Sequence, residues 1–212
     1  MVREPRQKRS QKTLDRLVEA CEGLLREKPF ERVSVSELAK HGRSSVGAFY
    51  GRFGGKDELL DFIDSRGEKE ILERWDEYFS PEKWAGVPAE EVVHRFVRFW
   101  VSAHRGRKGV LRALFLRLRG RPTPESLART RRLNRRVVAG MKTLLQERKR
   151  EIAHPDLDLA IPLALVMVAA SIREWVVFED LKLYPRAPDD EALAEELTRA
   201  FTAYLGIGSK KR

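Results

Sequence analysis

The sequence predicts an all-α chain of about nine helices, and three observations lead there. Apolar residues recur at i, i+3 and i+4 along most of the 212 residues. No segment alternates with period two for long, which argues against strands. Prolines and paired glycines (Pro29, Gly54-Gly55, Pro81, Pro88, Pro122, Pro124, Pro155, Pro185, Pro188) fall between the periodic segments, where helices stop and start. A content of 42% hydrophobic and 35% charged residues is that of a soluble globular chain, long enough for one or two domains with a sizeable core.

The first helix is expected over about 10–28, capped by Ser10 and stopped by Pro29. At the start of the chain Arg3, Arg6, Lys8, Arg9 and Lys12 form a basic tail that can follow phosphates or enter a minor groove. Ser34 and Glu37 make a capping box for a second, short helix whose apolar face is Val35, Leu38 and Ala39. His41-Gly42 ends it, with Gly42 expected to take the left-handed conformation of a sharp turn. Ser44 or Ser45 caps a third helix, Val46 to Phe53, in which Val46, Phe49 and Phe53 share the buried face. Gly51 inside that helix should weaken it by about 1 kcal/mol relative to Ala.

Two short helices joined by a tight turn have the layout of a helix-turn-helix unit, whose second helix enters the major groove of double-stranded DNA. Ser45, Gly47, Ala48, Tyr50 and Arg52 are left on its outer face. Small residues let the backbone approach DNA closely, and Tyr50 and Arg52 can donate to phosphate. Ser34, Ser36, Arg43 and Ser44 flank this face. Lys56, opening the fourth helix at a helix N-terminus, is a natural phosphate contact.

These residues carry a family resemblance. Residues 10–60 resemble the N-terminal domain of the tetracycline-repressor (TetR) family, through Phe30, the Val33-to-Ala39 helix, Gly42, and Ser45-Val46-Gly47-Ala48-Phe49-Tyr50 followed by Phe53, Lys56 and Leu59. The turn Gly42-Arg43-Ser44 departs from the pattern, where an apolar residue often follows the Gly. Gly51 stands where a bulkier residue is frequent. The resemblance implies an N-terminal three-helix DNA-binding domain, residues 1–55, and a C-terminal helical effector-binding and dimerisation domain, residues 56–212.

The remaining helices are expected at about 56–79, 88–105, 108–119, 124–153, 155–181 and 189–206. The eighth is apolar around most of its circumference, so it must be covered on several sides. A second copy of the chain can cover one of them. Ala160, Ala164 and Ser171 permit close approach, and with Val168, Ala200 and Tyr204 they are the expected interface of a two-fold dimer. Such a dimer sets two reading helices roughly 34–36 Å apart, which suits a pseudopalindromic site. The effector pocket that the resemblance implies has Phe96, Trp100, His104, Phe115, Met141, Met167 and Trp175 as candidates. Each of them is also an ordinary core residue by pattern.

Charge is unevenly spread. Residues 95–150 carry 18 basic and 2 acidic side chains, whereas residues 61–94 carry 4 and 10. The basic segment can steer an anionic or amphipathic effector, or it can be a solvated surface balanced by the acidic one. A single cysteine, Cys21, in an apolar helical face excludes an internal disulfide and reads as a buried thiol. The longest apolar run, Leu159–Ala170, is shorter than a membrane span, and the basic N-terminus lacks the apolar stretch of a signal peptide. A cytoplasmic protein without a membrane partner is expected.

Nothing in the pattern supports catalysis. His41, His94, His104 and His154 are far apart in sequence and from Cys21, and no metal or cofactor is expected. A dimeric, ligand-released transcriptional regulator, with repression the default, is the leading expectation. An architectural DNA-binding protein or a regulator without an effector is its rival, and a helical enzyme a more distant one.

Overall fold

The computed structural model describes residues 4–181 and 187–208, with only the backbone for residues 4–10, 81 and 181. Arg3 and Pro185, and the side chains of Arg6, Lys8 and Arg9, lie outside the described residues. Among the described residues the chain forms nine α-helices and no strand, only an isolated bridge between Ile152 and Ile207. The helices are α1 (Glu4–Glu27), α2 (Val35–His41), α3 (Val46–Tyr50), α4 (Lys56–Tyr78), α5 (Ala89–Gly106), α6 (Lys108–Gly120), α7 (Pro124–Gln146), α8 (Leu157–Ile172) and α9 (Asp190–Leu205). They pack as two units, one of Met1–Gly67 with Arg107–Ser126, the other of Glu68–Gly106 with Leu127–Arg212. The expected boundary at 55/56 assigned α6 to the second domain, whereas α6 packs in the first unit.

In the first unit α1 starts at Glu4, six residues before the expected cap Ser10. Pro5 lies in the first turn, where a missing N–H costs no intrahelical hydrogen bond. Leu17, Val18, Cys21, Leu24 and Leu25 form its buried stripe and pack with Phe30, Leu38, Phe49, Phe53, Leu59, Leu60 and Ile63. From α6 the same core receives Val110 and Ala113. The approach of α6 to α1 needs a glycine: a Cβ on Gly109 would sit 2.2 Å from the Leu25 carbonyl oxygen. Burial pushes the Cys21 thiol up to about 12 and Glu22 adds to the shift, so it is an inert packing residue.

In the second unit α5 buries Val92, Val93, Phe96, Val97 and Val101 against α8 and α9. Trp75 stacks on Phe79 with ring centroids 4.2 Å apart, and Phe79 stacks on Trp84 at 5.5 Å. Arg148, which pattern alone did not single out, is buried and donates to the carbonyls of Trp84, Val87 and Leu144. It ties the loop before α5 to the end of α7. Glu151 accepts from the Ala89 N–H at 2.7 Å and caps α5. These contacts explain why α7 stops at Gln146 and not at 153: the chain must turn to deliver Arg148 and Glu151.

Asp156 caps α8 by accepting from the Leu159 N–H at 3.1 Å, and the helix passes at Arg173 into a π-helical turn, Arg173–Val177. With that turn, Leu157–Val177 is long and apolar enough to cross a membrane by length and composition, at a mean hydropathy of 1.7, which the shorter run Leu159–Ala170 did not suggest. One face of α8, Ala160, Ile161, Ala164, Leu165, Val168 and Ile172, is nevertheless buried in the unit's own core.

Candidate nucleic-acid interface

The helix-turn-helix pair is built by caps and by one close contact. The Ser34 hydroxyl accepts from the Glu37 N–H at 3.2 Å and Glu37 accepts from the Ser34 N–H at 3.0 Å, so the capping box is complete. Lys28 also pairs with Glu37. Lys28, followed by the Ser34 backbone and hydroxyl, holds the Glu37 carboxyl down to about 2. The turn differs from expectation: Gly42 has φ −75°, and Arg43 takes the left-handed conformation at φ 46°. Gly42 is needed for space, because a Cβ there would lie 2.9 Å from Leu17 Cδ2 and 3.0 Å from the Leu38 carbonyl oxygen. Arg43 accepts the backbone strain, roughly 1–2 kcal/mol for an L-residue.

Ser45 caps α3 by accepting from the Ala48 N–H at 3.0 Å. The helix ends at Tyr50 and Gly51 is its C-cap, so Gly51 is not a mid-helix weakness. Phe49 and Phe53 are buried as expected, but Val46 is 40% exposed and does not lie on the core face that its spacing predicts. The reason is the short helix: Phe53 reaches the core from beyond its end, so the period linking it to Val46 does not hold. Ser45, Val46, Gly47 and Tyr50 are exposed together, and Ala48 and Arg52 are half-buried beside them. Tyr50 is 55% exposed and its ring meets Phe49 edge-on at 5.6 Å. Ser34, Ser36 and Arg43 are exposed and Ser44 half-buried. Val46 therefore joins this surface as an apolar group able to meet a thymine methyl.

Lys56 does not present its charge as expected. Its Nζ donates to the carbonyls of Phe30 (2.9 Å), Glu31 (3.1 Å) and Val33 (3.0 Å) and lies over the Phe30 ring. An ammonium has three donors, and all three are taken by the 3-10 turn Phe30–Arg32 and its C-cap Val33. The start of α4 is further occupied by Glu58, which accepts from the Gly54 N–H at 2.6 Å. Lys56 thus acts as a buttress of the unit, with its donors engaged by backbone carbonyls.

The expected effector residues do not form one cavity. Phe96 and Met141 are fully packed in the second unit's core, with Trp100 and Trp175 half-buried against it. His104 is buried, its Nδ1–H donating to the Trp100 carbonyl at 2.8 Å, and burial lowers its pKa. Met167 is 41% exposed on α8, and Phe115 belongs to the first unit. The second unit holds a cleft of about 610 Å³ lined by Arg74, Glu77, Tyr78, Lys83, Glu91, His94, Arg95, Arg98 and Phe99. Tyr78 and Phe99 stack at 5.7 Å and Arg74 lies over Phe99.

The expected interface residues Ala160, Ala164 and Val168 face their own core, 0–2% exposed, which removes them as partner contacts. Ser171 and Tyr204 are half-buried and Ala200 exposed. The outer face of α8 is instead Leu159 (62% exposed), Leu163 (43%), Val166 (63%) and Met167 (41%). Much of the basic segment is paired within the units. Arg117 meets Asp61, Arg132 meets Glu68 at 2.6 Å, Arg136 meets Asp76 at 2.7 Å and Lys142 meets Asp158 at 2.6 Å.

Comparison with known proteins places both ends of the chain. Residues 17–63 match the family model of bacterial regulatory proteins of the tetR family. Residues 88–205, more than half the chain, match that of the tetracyclin repressor-like C-terminal domain. No protein of curated function matches the sequence. Several solved structures share the fold. The TetR family transcriptional regulator PfmR of Thermus thermophilus superposes with a TM-score of 0.66 at 19% identity, over 92% of this chain and 99% of that one. The transcriptional regulator FadR of Bacillus subtilis, solved in complex with stearoyl-CoA, gives 0.62 at 19% identity, over 92% and 98%. NalD of Pseudomonas aeruginosa, the secondary repressor of the MexAB-OprM multidrug efflux pump, gives 0.66 at 18% identity, over 94% and 99%.

Proposed function

Since the chain belongs to the TetR family of bacterial transcriptional regulators, we propose that it works as a homodimeric cytoplasmic repressor that holds a pseudopalindromic operator and releases it when a small molecule binds. The observation that carries the DNA-reading part is the surface of α3. Ser45, Val46, Gly47 and Tyr50 stand exposed on a capped helix that Phe49 and Phe53 anchor from behind. The hydroxyls and the valine methyls can read base edges in the major groove, and the missing side chain at Gly47 lets the backbone come close.

The outer stripe of α8 supports the dimer. Leu159, Leu163, Val166 and Met167 recur at i, i+4, i+7 and i+8, and a contiguous exposed apolar face marks an interaction surface. On α9, exposed Ala200 and Ala203 are small enough for a close approach. A two-fold pairing of these faces would place two α3 helices on successive major grooves.

For the effector, the cleft beside Tyr78 and Phe99 supports an anionic amphipath. Arg74, Lys83, Arg95 and Arg98 supply charge around two stacked rings, against Glu77 and Glu91. The ligand must bind the DNA-incompetent state more tightly, by the free energy it removes from operator binding. The test is operator binding by fluorescence anisotropy with stearoyl-CoA, stearate or free CoA added. Release by the amphipathic anions but not by free CoA is expected. The packed core around Phe96 and Met141 favours a second reading, a regulator with no effector. It predicts no release and no thermal shift with any of the three.

A further inference from the structure

We propose that Arg119 and Arg121 form a second phosphate-binding patch on the DNA-binding unit, gripping the DNA backbone outside the groove that α3 reads. The inference rests on the reading that this unit binds DNA. Residues 107–124 carry six basic side chains and no acidic one. Four of the six are engaged within the protein. Arg107 donates to the Ile63 carbonyl at 3.3 Å, Arg117 pairs with Asp61 and donates to the Asp57 carbonyl at 3.1 Å, and Lys108 and Arg112 have partners too. Arg119 and Arg121 are exposed and have no side-chain partner among the described residues.

Their position follows from the direction of α6. Its start lies by Ile63 and its last turn by Asp57 and Asp61, so it runs antiparallel to α4. The end of α6 is therefore carried to the end of the unit where α4 begins, immediately after the α3 helix and its cap Gly51. The first turns of α4 bring Asp57, Glu58 and Asp61 to that end, and Lys56 is enclosed by carbonyls. With Arg117 from α6 and Arg52 just after Gly51, these six charges sum to zero and give that end no attraction for a duplex. Arg119 and Arg121 turn the sum positive. A helix C-terminus favours cations by itself, which accounts for Arg117 and Arg119. Arg121 is the C-cap of α6, its N–H donating to the Arg117 carbonyl, and its charge is likewise favoured there.

The test is the salt dependence of DNA binding by the full-length protein, for operator and random duplex alike. Wild type is compared with Arg119→Ala/Arg121→Ala and with Arg131→Ala/Arg135→Ala, which removes the same charge from exposed sites of the second unit. The slope of log Kobs against log salt should become shallower by about 1 for each phosphate that is no longer neutralised. That change is expected for the first double variant only, equally on both DNAs, and Arg119→Lys/Arg121→Lys should keep the wild-type slope. Equal slopes for the two alanine variants, or a slope unchanged from wild type, would overturn the patch. Wild-type protein that binds no DNA at all would instead remove the premise. Unchanged thermal midpoints show that both sets of variants fold.

Discussion

Lys56 shows how residue type and residue role can part. A lysine at a helix N-terminus beside a reading helix is a reasonable phosphate contact from sequence, yet its three donors close the carbonyls of Phe30, Glu31 and Val33. Lys56→Met should therefore destabilise the first unit by about 1–3 kcal/mol, the range for orphaned polar groups, and leave the salt slope of DNA binding unchanged. Denaturant melts and binding isotherms at two salt concentrations check both. His104 gives a pH prediction. Burial lowers its folded pKa below the ordinary value of 6.5. Stability is complete above that value, where both states are neutral. It falls as pH drops from 6.5 toward the lowered folded pKa, because only the unfolded chain takes up the proton. Melts of His104→Gln across pH 7.5 to 5 should lose this dependence. Phe49 and Cys21 were legible as core because each lies on an apolar stripe of its helix, whereas Phe53 is core although the period that pointed to it ends with α3 at Tyr50. Val46 was not, since its assignment leaned on a period that α3 is too short to sustain.

At the scale of elements, caps and breakers were the readable part. The Ser34-Glu37 box, Ser45 before α3 and Pro29 after α1 act by local backbone chemistry, which a sequence states directly. Contacts between helices were not readable. Gly42 was identified for its freedom in φ, whereas it is there for space against Leu17, and Arg43 carries the left-handed turn. Gly109 is the companion case, with α6 lying so close to α1 that no side chain fits. Gly109→Ala should cost about 1–3 kcal/mol by overpacking, seen as a lower thermal midpoint, whereas Gly106→Ala, with open space at its Cβ, should not. The faces of α8 could not be told apart for a related reason. A helix apolar on all sides has no period to say which side meets its own core. The small residues suggested the partner face, yet Ala160 and Ala164 are packed inside and Ser171 is half-buried.

For the whole molecule, the charge asymmetry resolves largely into pairs inside each unit. The acidic segment 61–94 and the basic segment 95–150 meet at Arg117–Asp61, Arg132–Glu68 and Arg136–Asp76, so their separate net charges overstate the field around the protein. In the proposed function, operator recognition depends on dimerisation. Val166→Glu places a charge on the outer face of α8 without touching the core. It should yield a folded monomer in sedimentation and a much weaker operator complex, with random-DNA binding reduced far less. The most direct measurement of the central claim is selection of bound fragments from random double-stranded DNA by the wild-type protein and by Tyr50→Ala. The account predicts a two-fold symmetric site enriched by wild type, its half-sites about one helical turn apart or a multiple of it, and lost with Tyr50→Ala. No enrichment, or the same sequence-blind recovery by both proteins, would contradict it.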